Sequence, residues 1–159
     1  MRGWWPFPSQ MRLPILSAFW IALITLSSCL GTNAQAGDRI WSAVVLATRE
    51  NPAKPPPARL ADFAGPLQRI FGYNTFYLLG EKTKDIRAGT EDWLVPSKRI
   101  FMKVSVLGTS RASYHTRVDL YDGKELLVTA EARLARDAPL YIRGPAWGKG
   151  QLIAILEVR

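Results

Sequence analysis

The stretch ASYHTRVDLYDGKELLVTAEARL (residues 112–134) constrains the fold of this chain more than any other. Asp122-Gly123 lies between two runs in which apolar and polar residues alternate. That alternation is the period of a half-buried strand, and Asp-Gly is a turn dipeptide, so the stretch predicts a β-hairpin. The register follows from which apolar residues can share a side. A two-residue turn at Asp122-Gly123 sets Leu120 against Glu125 and Val128 against Arg117, which mixes the faces. A three-residue loop, Asp122 to Lys124, sets Leu120 against Leu126, Val118 against Val128, Thr116 against Ala130 and Tyr114 against Ala132. A slip of one residue turns every side chain to the other face, so this second register, or an equivalent bulge, is the expected one. It puts Arg117 opposite Thr129 and His115 opposite Glu131 on the wetter face.

The segments around the hairpin read mostly as further strands. RIWSAVVLAT (39–48) and QLIAILEV (151–158) are apolar on both alternating faces, the pattern of strands covered on two sides. YNTFYLLGE is aromatic and apolar and reads as a strand. TKDIRAGTEDWLV adds a short one with Trp93 and Val95 on one face. RIFMKVSVLG sets Ile100, Met102, Val104 and Val106 on one face, and LYIRG forms another short strand before the glycine-rich loop GPAWGKG. One stretch has helical spacing: Leu60, Phe63, Leu67, Ile70 and Phe71 share a face, with Gly72 as the stop. Pro66 inside it removes an amide donor, so the helix is expected either to kink or to begin at Pro66. RENPAKPPPA, between the first strand and this helix, is a stiff extended loop. The expected fold is α+β: one main helix on a mainly antiparallel, curved sheet or partial sandwich of about seven strands.

Residues 1–36 have a different composition. Ile15 to Leu26 is an uncharged apolar run of 12 residues, preceded by Arg2 and Arg12, with no acid before Asp38. A spanning helix needs about 20 apolar residues. The layout is that of a secretory signal, starting at Met1 or at Met11. Two cleavage patterns follow. Leu26-Ser27-Ser28-Cys29 resembles the lipobox of bacterial lipoproteins, with Cys29 as the acylated residue and the membrane as partner through that anchor. Ala34-Gln35-Ala36 matches an ordinary A-x-A site before Gly37. Without an Asp after Cys29, resemblance to such lipoproteins implies the outer membrane; the second cleavage implies a periplasmic or secreted protein. Residues 37–159 are then a single α+β domain.

Residue chemistry bounds the function. Cys29 is the sole cysteine and His115 the sole histidine, so neither an internal disulfide nor a His/Cys zinc site can form. The leader holds two of the 21 Lys and Arg and none of the 13 Asp and Glu, leaving the rest of the chain at +6. Those charges are scattered, with no nucleic-acid motif, so nucleic acid is not an expected partner. GPAWGKG lacks the spacing, the hydroxyl residue and the following helix of a phosphate-binding loop. Ser113, His115 and Glu131 fall on one face but read as cross-strand polar pairs. No catalytic residue, cofactor or metal is therefore expected. Trp147, Lys149 and Arg143 are the candidate partner contacts, because aromatic residues and arginine are enriched at such anchors.

The pattern LQRIFGYNTFYLL, then hairpins, then YIRGPAWGKGQLIAIL, resembles small exported bacterial proteins of unassigned function across most of residues 59–156. The resemblance implies one exported domain and no particular activity. The expected role is a non-enzymatic envelope module that binds a protein or envelope component. The alternatives are a secreted domain for an anionic polymer, or a small hydrolase.

Overall fold

Eight strands and one helix follow one another in the computed structural model, which describes residues 37–86 and 91–159. Residues 1–36, expected to be an export signal, lie outside the described residues together with Met1, Met11, Cys29 and both expected cleavage sites. Strand β1 (Arg39–Thr48) leads through the proline-rich loop and a single 3₁₀ turn (Ala58–Leu60) into α1 (Ala61–Phe71). Then come β2 (Thr75–Asp85), β3 (Glu91–Val95), β4 (Ile100–Thr109), β5 (Ser113–Asp122), β6 (Glu125–Ala135), β7 (Leu140–Trp147) and β8 (Gly150–Val158).

All pairings are antiparallel, and they make two four-stranded sheets, β2-β1-β8-β7 and β3-β4-β5-β6. The mainly antiparallel strands with one helix are as expected, whereas the eight strands form two sheets in place of the curved sheet or partial sandwich of about seven. Every run read as a strand is one, including short β3, and the two chain ends close a sheet of their own by pairing β1 with β8.

The layers explain the sequence pattern. Ile40, Val44, Leu152, Ala154 and Leu156 face Met102, Val104, Val118, Leu120 and Leu134 of the second sheet. Trp41, Ala43, Val45, Ile153 and Ile155 point the other way, onto Leu60, Phe63 and Leu67 of the helical segment. The first sheet is thus covered on both faces, which is why β1 and β8 are apolar throughout. The second is covered on one face only, which is why β4 and β5 alternate. One buried polar contact joins the layers: Trp93 Nε1 donates to Ser42 Oγ at 3.2 Å. Residues Gly37–Arg159 form one compact unit.

Helix α1 does not begin at Pro66; it runs unbroken through it from Ala61. The preceding 3₁₀ turn and the burial of Phe63 and Leu67 hold the first turns in place. Ile70, expected on the buried face, is 55% exposed, because three residues on from Leu67 it stands at the flank of that face. Gly72 stops the helix at φ 74°, and its N–H donates to the Gln68 carbonyl at 2.9 Å.

The hairpin register also needs correcting. The turn is the two residues Gly123-Lys124, closed by Asp122 opposite Glu125, and an irregularity follows between Leu120 and Tyr121. Beyond it Leu120 faces Val128, Val118 faces Ala130, Thr116 faces Ala132 and Tyr114 faces Leu134. This register lies two residues from the expected one. A shift of two keeps every side chain on its face, so the apolar alternation alone cannot separate the two registers. Arg117 consequently faces Glu131 rather than Thr129, and His115 faces Arg133. The GPAWGKG loop is likewise shorter than expected. Its first four residues belong to β7, with an irregularity between Arg143 and Ala146 that accommodates Pro145, and only Gly148-Lys149 turns.

Candidate functional site

Three turns meet at the end of the sandwich opposite the entry of the chain at Gly37. They are the β3–β4 connection, the Gly123-Lys124 turn and the Gly148-Lys149 turn. Arg99 ties them together. Its carbonyl accepts the Gly123 N–H at 3.1 Å. Its guanidinium donates to both carboxylate oxygens of Asp122, at 2.6 and 2.8 Å, and lies 4.7 Å from the centre of the Trp147 ring. Asp122 holds Arg99 more firmly protonated than usual, through the hydrogen bonds first and the charge second. Trp147 is half-buried against the inter-sheet core, so it serves as the floor of this cluster. Exposed Lys98, Lys124 and Lys149 belong to the same three turns, and none of them forms an ion pair among the described residues.

Of the residues singled out in the sequence, Trp147 and Lys149 are therefore brought together. Arg143 is not with them. With Tyr141 it faces the helix layer, where its guanidinium lies 5.3 Å from the centre of the Phe71 ring, and the irregularity that follows it in β7 puts Trp147 on the opposite face. Sequence reading missed Arg99, Lys98 and Lys124. Their only signal was a basic residue beside each of two turn dipeptides, and that signal says nothing about which turns share an end.

The outer face of the second sheet carries the polar residues weighed as a catalytic set. An open concavity of about 530 Å³ is lined by residues including Ser110, Ser113, His115, Glu131 and Arg133. The Ser113 hydroxyl lies 3.0 Å from that of Ser110, in a pair that closes the β4–β5 turn. No hydrogen bond joins Ser113 to His115 among the described residues. His115 Nε2 lies 3.5 Å from Glu131, whose other oxygen accepts two hydrogen bonds from Arg117 at 2.6 and 2.9 Å. Arg117 is the main reason the Glu131 carboxyl sits below its ordinary range. Glu131 is thus an ion-pair partner rather than a poised base. Among the described residues, no group of three or more His, Cys, Asp and Glu could hold a metal ion.

A second polar network fastens the proline-rich loop. Tyr77 OH donates to Glu50 at 2.5 Å, and Lys54 Nζ donates to Tyr77 OH at 2.6 Å. The Tyr77 hydrogen bond, then Lys54, lowers the Glu50 pKa. Asn74 exchanges two hydrogen bonds of 2.9 Å with the Glu50 backbone.

Compared with known protein families, curated proteins and solved structures, the chain matches none. The function is therefore argued from its own residues.

Proposed function

We propose that this chain is an exported lipoprotein of the bacterial cell envelope, anchored through Cys29, whose sandwich domain acts as a non-enzymatic interaction module. One observation carries the reading: the Arg99 cluster stands at the end of the domain opposite Gly37, where the leader joins. A domain held from one end would offer the other to a partner. Rigidity supports the same reading, because Arg99 fixes three turns that would otherwise move independently. The Ser113–His115 geometry offers no nucleophile paired with a base, which favours binding over hydrolysis.

The anchor is tested by intact mass. Protein recovered from a bacterial envelope is expected to begin at an acylated Cys29, and Cys29→Ala is expected to move it into the soluble fraction. A chain beginning at Gly37 would replace the lipoprotein with a released domain.

A second reading, an anionic polymer as the partner, is favoured by the three unpaired lysines. Inorganic polyphosphate is then expected to bind with an affinity that falls steeply with salt, because exposed charges are screened within about 10 Å at 0.1 M. Replacing Lys98, Lys124 and Lys149 together by Gln is expected to weaken it by about tenfold or more. Salt-independent binding, or none at low salt, would end this reading.

A further inference from the structure

We propose that the C-terminal end of α1 is a docking surface for an acidic, leucine-bearing segment of a partner protein. Three arginines stand at this helix end with no carboxylate partner among the described residues. Arg69 lies in the last turn of the helix. Arg49 comes from the end of β1 and donates from Nε to the Gly72 carbonyl at 3.1 Å. Arg143 comes from β7 and lies over Phe71. All three are exposed, and none forms an ion pair among the described residues. Of the other described arginines, Arg39, Arg59, Arg99, Arg117, Arg136 and Arg159 each have an acidic partner, whereas Arg111 and Arg133 stand unpaired but apart, one in the β4–β5 turn and the other in β6.

The helix dipole and its free carbonyls account for part of this grouping, and Arg49 satisfies one of those carbonyls. They do not account for Arg143. A guanidinium over a ring is held through its charge, which leaves its N–H groups for another acceptor. Ile70 stands exposed beside Arg69, and half-buried Phe71 and Tyr73 continue the apolar surface. An exposed aliphatic residue on the same helix end as three unpaired arginines, one of them over an aromatic ring, has the composition of a binding anchor.

The chemistry selects the occupant. Arginine forks match carboxylates with two parallel hydrogen bonds. A polymer of charge alone would leave Ile70 uncovered. A bilayer needs a helix with a broad apolar face, and here Phe63 and Leu67 are already buried against the sheet. A peptide with carboxylates around one aliphatic side chain satisfies both features. The surface shares no residue with the Arg99 cluster; β1 ends beside the Gly148-Lys149 turn, so the joint lysine variant is what tells the two apart.

The test uses the unit Gly37–Arg159, whose two cores are complete within it. The probe is a short labelled peptide of Asp and Glu around a central Leu; a second peptide carries Ala in that place, and a third carries Lys for every acid. The expected result is binding of the leucine peptide, weaker binding of the alanine peptide and none of the lysine peptide. Arg69→Gln and Arg143→Gln are each expected to weaken the first by about tenfold. Ile70→Ser is expected to abolish the preference for leucine over alanine. The joint Lys98, Lys124 and Lys149 variant is expected to bind as well as the parent. Each altered side chain is exposed, and a thermal melt checks that the fold persists. Failure of the leucine peptide to bind at low salt would overturn the proposal, as would a leucine preference that survives Ile70→Ser. Tighter binding to phosphatidylglycerol vesicles than to the leucine peptide would overturn it in favour of a lipid surface.

Discussion

Gly80→Ala is expected to destabilise the domain by about 3 kcal/mol or more, the upper end of overpacking costs. Gly80 lies in β2 opposite Val44, just past an irregularity in the pairing with β1. At this point the backbones of the two sheets come together. A Cβ on Gly80 would overlap the Pro96 carbonyl oxygen and come within 3.2 Å of the Ser97 Cβ. The obstacle is main chain, so no side-chain rotation relieves it. The β3–β4 connection is held as well, because the Ser97 hydroxyl donates to the Ile100 carbonyl. Gly108 is the internal control. It also borders a β irregularity, yet a Cβ there meets nothing within 4 Å. Urea denaturation should show a much lower midpoint for Gly80→Ala and a nearly unchanged one for Gly108→Ala, at similar slopes. Equal midpoints would mean that the two backbones can separate without cost.

Trp41→Ala is expected to cost about 3–5 kcal/mol. Trp41 is 1% exposed and joins the helix to the first sheet. Its ring stacks on Phe63 with centroids 5.0 Å apart. Nε1 donates to Glu81 at 2.7 Å, and the Arg159 guanidinium lies 4.6 Å from the ring centre. Alanine would leave a cavity between helix and sheet that Phe63 alone cannot fill. Trp41→Phe keeps most of the stack and removes the hydrogen bond, so about 1 kcal/mol is expected. Denaturation of the two variants separates packing from polar contact. An alanine variant no less stable than the phenylalanine one would show that the helix contributes little to the fold.

The strands were legible because burial writes itself into alternation. Met102, Val104 and Val106 announce one covered face, and Ile153 to Leu156 announce two. The helix stop at Gly72 was legible for a local reason, since its left-handed backbone favours glycine. The partition into sheets was not legible. It depends on β1 pairing with β8, and nothing local to either strand names the other. The hairpin register was missed because the two-residue shift preserves the faces. The Arg99 cluster was only half visible. Trp147 and Lys149 are neighbours in sequence, whereas Lys98, Arg99 and Lys124 reach them only because distant turns share an end of the sandwich. The arginines at the end of α1 come from the residue after β1, from α1 itself and from β7, so only the folded chain assembles them.

The order of strands also sets a timetable. The second sheet uses four consecutive strands, each pairing with its neighbour in sequence, so it can form by local steps. The first sheet cannot. Its second strand in space is the first in the chain, β1, and that strand stays unpaired along one side until β8 arrives. Pairs such as Ile40 with Val158 span nearly the whole domain, and contacts of that separation form slowly. A nascent chain therefore cannot close its core before its last strand has left the ribosome. On the export route proposed above, that delay would keep the polypeptide threadable until its synthesis is complete.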